Sequence, residues 1–183
     1  MVNSVRWQFV SCLSEMNWRD GLAYTLTFPF QMAESRKRVE KELRFFFNVL
    51  DKAVFGRRSL RSDAHRCQRI NMIEGGPLGD NFHCHGLIRP SSHPEAKIIE
   101  SCTLQQAMEE IWNNKMRSVL TFDREYFGNK AIPARIEINP AFDNGNTPGK
   151  WANYICKTIS AENSEALCPK TSWFHDGPVN KAR

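Results

Sequence analysis

The stretch Phe82-His83-Cys84-His85-Gly86-Leu87-Ile88 constrains this chain more than any other. Two histidines one residue apart in an apolar run point to the same side of a strand, because side chains alternate with period two. Phe82, Cys84, Gly86 and Ile88 make the opposite side, apolar enough to face a core. The two histidine Cα atoms would lie roughly 6–7 Å apart, close enough for both imidazoles to reach one divalent metal.

The neighbouring segments supply partners for such a strand. Residues 21–28 alternate, with Leu22, Tyr24, Leu26 and Phe28 on one side and Thr25 and Thr27 on the other, and Pro29 ends the run. From 33 to 55 the period becomes helical. Val39, Leu43, Phe46, Leu50 and Val54 form one stripe, Arg36, Lys37, Lys41 and Arg44 are interleaved, and Gly56 is the stop. Residues 66–74 read as a second strand, joined to the histidine strand 82–89 by Gly75-Gly76-Pro77-Leu78-Gly79-Asp80, turn chemistry that suits a hairpin. Thr103 and Gln106 have capping-box spacing and open a helix with Leu104, Met108, Ile111 and Trp112 on one side. Residues 134–139 alternate before Pro140, and a short helix begins near Pro148.

The order β-α-β-β-α-β-α predicts an α+β fold: an antiparallel sheet with helices on one face and the histidines on the other. The 183 residues suit a single domain over 1–183, with a motif-bearing core of about 21–160. The first 20 and last 20 residues carry no pattern that assigns them an element.

Composition excludes some classes. No apolar run approaches bilayer-spanning length, so no membrane partner is expected, and Arg6, Glu15 and Arg19 interrupt any signal-peptide core. The six cysteines lack C-x-x-C spacing, which argues against a zinc knuckle and for free thiols in a reducing, intracellular setting. The excess of 25 Lys and Arg over 20 acidic residues permits a polyanionic partner without demanding one. Much of it sits in Arg57, Arg58, Arg61, Arg66 and Arg69, opposed by Asp63.

Three segments carry candidate chemistry. His83 and His85 are the first. A cupin-type oxidoreductase also uses His-x-His, but wants an acid shortly downstream, and Gly86 to Pro94 contain none. Glu74 is the second: an antiparallel hairpin places it opposite Phe82 to Cys84, completing a two-imidazole, one-carboxylate set with positions left open for water or a phosphate oxygen. The third is Gly149 to Ile159, where Trp151, Ile155 and Ile159 make a buried side and Lys150, Tyr154 and Lys157 a polar stripe. Two ammoniums beside a phenol favour the anionic oxygen that a nucleophile needs.

Together these residues resemble the HUH endonucleases, the rolling-circle replication initiators (Rep) of plasmids, small phages and circular single-stranded DNA viruses. Tyr24-Thr25-Leu26-Thr27-Phe28 is similar to the family's first strand motif. His83-Cys84-His85 is similar to its histidine–hydrophobic–histidine motif, with Cys at the apolar position, and Tyr154-Ile155-Cys156-Lys157 to its Y-x-x-K motif. The resemblance implies a ferredoxin/RRM-like nicking domain of the single-tyrosine type. It implies Tyr154 as nucleophile, forming a 5′-phosphotyrosine link to single-stranded DNA, and Lys157 beside it. It implies His83, His85 and Glu74 as ligands of Mg²⁺ or Mn²⁺. A host cytoplasm is implied, or a nucleus for a eukaryotic virus. No G-x-x-x-x-G-K-[ST] loop is present, so a separate helicase and host replication proteins are expected partners.

Arg57, Arg58, Arg61, Arg66, Arg69, Arg89 and Lys150 are the candidate DNA contacts. Trp7, Trp18, Trp151 and Trp173 could stack on bases, though core or boundary packing suits each of them better. Two other readings fit the same motifs: a transposase or relaxase with the same chemistry, and a non-catalytic RRM-like nucleic-acid-binding domain with structural histidines.

Overall fold

The computed structural model describes residues 4–18, 20–29, 33–60, 62, 64–75, 81–127, 134–141, 147–157, 159 and 166–174. In chain order the elements are α1 (Ser4–Glu15), β1 (Leu22–Thr27), α2 (Arg36–Phe55) with a 3₁₀ turn (Gly56–Leu60), β2 (Arg69–Glu74), β3 (His83–Ile88), α3 (Ser101–Phe127), β4 (Arg135–Pro140) and α4 (Pro148–Ile155). The four strands form one antiparallel sheet in the order β2-β3-β1-β4. This is the α+β architecture that the alternation of periods predicts. The hairpin turn at 76–80 lies outside the described residues.

Period two sorts each strand onto two cores. Leu22, Tyr24 and Leu26 of β1, Ile73 of β2 and Cys84 and Ile88 of β3 face α2 and α3. The predicted stripe of α2 (Val39, Leu43, Phe46, Leu50 and Val54) is wholly buried there. Gly56 stops α2 with φ 68°, a left-handed conformation costly for any residue with a Cβ. The opposite face carries Ala23, Ile70, Met72 and Leu87, packed under α1 and α4.

That second layer corrects the expectation of helices on one face only. α2 and α3 cover one face, and the shorter α1 and α4 cover part of the other. α1 and α4 are tied by Arg6, whose Nη2 donates to Asn153 Oδ1 at 2.6 Å. Trp18 closes the base of this layer, fully buried with Nε1 donating to Leu13 O. The capping-box reading also needs correction, because α3 begins at Ser101 and Thr103 lies inside its first turn. Ser101 Oγ instead hydrogen-bonds the Asp20 carbonyl.

Residues 166–174 run along the outer edge of β2. Arg69 and Trp173 exchange two 2.6 Å backbone hydrogen bonds, Cys168 N donates to Asn71 O, and Met72 bridges Leu167. All six cysteines are free thiols. Among the described residues no helix is long and apolar enough to cross a membrane.

Gly86 is the tightest point of the sheet. A Cβ there would overlap the Tyr24 phenol, which crosses β3 to hydrogen-bond Asn71 Oδ1, and the Ile70 carbonyl oxygen. Gly86→Ala is expected to cost about 2–3 kcal/mol by overpacking. Urea denaturation measures it, and an unchanged midpoint would mean that Tyr24 does not cross there.

Candidate active site

The pairing register builds the site. Glu74 is opposite His83 across β2 and β3, His83 is opposite Thr27 across β3 and β1, and Thr27 is opposite Arg135 across β1 and β4. Residues paired in this way share a face, so Glu74, His83, Thr27 and Arg135 form one row across the sheet. The next row is Met72, His85, Thr25 and Glu137. Both rows lie on the α1/α4 face. The hairpin argument placed Glu74 opposite Phe82 to Cys84, and the register agrees.

Glu74 and His85 are buried, and His83 is partly exposed. Glu74 Oε2 lies 3.5 Å from His83 Nε2 and 3.7 Å from His85 Nε2. Donor atoms sharing one metal at bond lengths of about 2.1 Å are separated by roughly 3–3.5 Å, so this spacing is near that of a chelating set. Hydrogen bonds fix the rings. Thr25 Oγ1 meets His85 Nδ1 at 2.8 Å, and the Asn81 carbonyl, which can only accept, meets His83 Nδ1 at 3.3 Å. These contacts hold both rings by Nδ1 and turn both Nε2 atoms toward the Glu74 carboxylate.

Electrostatics favour ligation. Burial pushes the Glu74 carboxyl up, but His83, His85 and Lys157 outweigh it, and it is held below the ordinary carboxylate value. Burial lowers His85 to about 4; His83 and Lys157 act the same way and Glu74 opposes them. At neutral pH the set is an anionic carboxylate beside a neutral His85 ring. His85 Nε2 is also buried without a hydrogen-bond partner among the described residues. A buried, unpartnered imidazole nitrogen facing a carboxylate fits a cation held between them.

Tyr154 comes to this site from α4. Thr147 caps that helix by accepting from Lys150 N, with Pro148 in the first turn. The Tyr154 ring stands 5.1 Å from the His85 ring, centroid to centroid, and is 44% exposed, open to solvent. α4 ends at Ile155, one turn earlier than the sequence reading through Ile159 implies, so Lys157 sits in the turn beyond it. From there Lys157 Nζ reaches back to within 3.2 Å of Glu74 Oε2 and 4.4 Å of the Tyr154 ring centre. Three distant segments therefore converge on one spot.

The arginine cluster does not join them. Arg69 pairs with Ile88, five residues along from the Glu74–His83 pair and about 17 Å away. Arg69 is also buried, with its guanidinium bound to Asp51, Thr171 O and Cys67 O, so it is no surface contact for DNA. Arg66 is half-buried against Asp51 and Asn48. Arg58 pairs with Glu95, and Arg89, at the far end of β3, donates to Asn17 O. Arg57 is exposed, and Arg61 lies outside the described residues. Lys150 is exposed on α4, the helix that carries Tyr154.

The tryptophans divide as packing suggests: Trp18 is fully buried, Trp151 and Trp173 are partly buried, and Trp7 is exposed. Trp151 stacks edge-on to Tyr154 at 5.8 Å. Sequence reasoning missed Thr25 as the anchor of His85 and Arg135 as the exposed cation ending the histidine row. Pairing β1 with β3 and β4 in the right register was the signal that finds both.

Comparison with family models, curated proteins and solved structures finds no match to this chain.

Proposed function

We propose that this protein is a metal-dependent nuclease that nicks and rejoins single-stranded DNA through a covalent 5′-phosphotyrosine at Tyr154, as a Rep-type initiator of rolling-circle replication does. The observation that carries the reading is the convergence of Tyr154 and Lys157 on the Glu74–His83–His85 set. Three motifs distant in sequence meet where the proposed chemistry needs them. Support for the fold part comes from the β-α-β-β-α-β order with the sheet read β4-β1-β3-β2, an arrangement of the ferredoxin-like type.

His83, His85 and Glu74 would hold Mg²⁺ or Mn²⁺. A divalent ion bound there supplies a Lewis acid that offsets charge on the phosphate oxygens during displacement. Tyr154 Oη forms the new bond to phosphorus while the bond to the 3′-oxygen breaks. The phenol gives up its proton and the departing 3′-oxygen takes one up, leaving a free hydroxyl. Lys157 stands by both Glu74 and the phenol ring, where an ammonium stabilises negative charge on the attacking oxygen. The link to Tyr154 conserves the phosphodiester, so attack by a 3′-hydroxyl rejoins DNA without ATP. Thr25 holds His85 in its ligating orientation.

The test is to incubate the protein with pooled single-stranded oligonucleotides and Mn²⁺ and look for a denaturant-resistant protein–DNA adduct. The adduct is expected with Mn²⁺ and lost with chelator; a non-catalytic RRM-like domain would form none under either condition. Thr25→Val, which keeps shape and removes the bond to His85 Nδ1, is expected to weaken Mn²⁺ binding about 10–100-fold. Calorimetric titration reads this, and unchanged affinity would show that Thr25 does not orient the ligand.

A further inference from the structure

A second set of two imidazoles and a carboxylate lies away from the site just described. His65 comes from the segment between the 3₁₀ turn and β2, and His93 and Glu95 from the connection between β3 and α3. Each residue offers one donor atom, and the three donor atoms lie within 4.8 Å of one another. His65 Nε2 is 2.8 Å from Glu95 Oε2. The other carboxylate oxygen, Oε1, is held by Arg58 Nη1 at 3.0 Å. The His65 and His93 rings meet edge-on at 4.9 Å, and each packs edge-on against Phe55 at the end of α2, at 5.7 and 6.0 Å.

The hydrogen-bonded chain Arg58–Glu95–His65 accounts for only part of this cluster. It needs one histidine, yet His93 brings a second ring to the same point. His65 Nδ1 is buried and has no hydrogen-bond partner among the described residues. His93 Nδ1 accepts from the Glu95 amide at 3.2 Å, at the long end of the ordinary range. The backbones of both segments are pinned: His65 N donates to Ser62 O, Ala96 N to His93 O, and Lys97 N to Val54 O. The two segments therefore keep the three side chains together, two imidazoles and one carboxylate of a type that suits zinc, and ligation through His93 Nδ1 would replace its bond from the Glu95 amide. An arginine on the non-ligating carboxylate oxygen is the kind of outer contact that orients a monodentate ligand.

We propose that His65, His93 and Glu95 form a second metal site, structural in role, for a dication of the Zn²⁺ class, with Arg58 as the residue that orients Glu95. The site fastens the β3–α3 connection to the segment that follows α2. It asks nothing of Tyr154 or of the Glu74 set.

The experiment uses the full chain with His83→Ala and His85→Ala, which removes the first donor set, stripped with chelator and then titrated with Zn²⁺ alone. One equivalent is expected to remain after desalting, with a rise in Tm on zinc addition. Adding His93→Ala is expected to abolish both, and Arg58→Ala to weaken binding about tenfold or more. The same count is made on the chain with both histidines of β3 intact, where His93→Ala alone should lower bound Zn²⁺ by one equivalent. Zinc that survives His93→Ala undiminished, or a natively folded His83→Ala/His85→Ala variant that retains none, overturns the proposal.

Discussion

A Tyr154→Phe variant is expected to form no covalent adduct with single-stranded DNA, with cleavage falling by on the order of 10⁴-fold or more, as when an enzyme loses its nucleophile. The substitution is a clean probe because the ring does the packing and the proposed chemistry needs only Oη. Phe keeps an edge-on contact with His85 and a face for the Lys157 ammonium. The side chain is 44% exposed, so losing the hydroxyl leaves no buried polar group unpaired. Circular dichroism and Mn²⁺ affinity should match the parent. Tyr24 offers no substitute, since burial raises its phenol well above the ordinary value and its hydroxyl is engaged by Asn71. If the Phe variant still forms the adduct, Tyr154 is not the nucleophile, and peptide mapping would be directed to Tyr126.

Asp51→Ala is expected to be the most destabilising single change away from the site, at about 3–5 kcal/mol. That is a large fraction of the 5–15 kcal/mol or so that a domain of this kind has. Asp51 is fully buried on α2. Its Oδ1 accepts from Arg69 Nη1 at 2.7 Å and from Cys67 N at 3.0 Å, and its Oδ2 from Arg69 Nη2 at 2.9 Å and Arg66 Nη1 at 3.2 Å. Burial alone would lower the Arg69 guanidinium, but Asp51 outweighs it and the group is held above its usual value. Alanine would strand that cation over the Phe47 ring with no counter-charge. The urea midpoint should fall with little change in slope. The double variant Asp51→Ala/Arg69→Met should regain part of the loss, because it removes the stranded charge as well. A midpoint shift worth less than about 1 kcal/mol would sink this account, placing the pair among weak surface bridges.

These two residues show where the sequence was legible. Tyr154 was readable because the Y-x-x-K spacing and the His-x-His alternation are local patterns, and the hairpin carried Glu74 to His83 by simple geometry. Asp51 was not readable. Its partners are 15 to 18 positions away, at the start of β2 and just before it, and nothing in the Arg57–Arg69 run marks which arginines turn inward. Alternation alone puts Arg69 on the side of Ile73, toward α2, where charge is tolerated only because Asp51 waits there. α1 was illegible for a related reason. Val10 and Leu13 face the core while Trp7 is exposed, so its apolar residues do not make one clean stripe. The position of Lys157 depends on where α4 stops, and a helix end is harder to locate than a helix.

The bridges that residues 167–173 make along β2 leave the sheet asymmetric in what it offers to other chains. With that flank occupied, and no strand beyond β4 among the described residues, an incoming extended segment would pair on the β4 side. Exposed Arg135, Glu137 and Asn139 discourage indiscriminate stacking there, as charges on a natural border strand do. A polypeptide that did zip onto β4 would lie beside the Thr27–Arg135 end of the histidine row, so docking there and entry to the row would share one doorway.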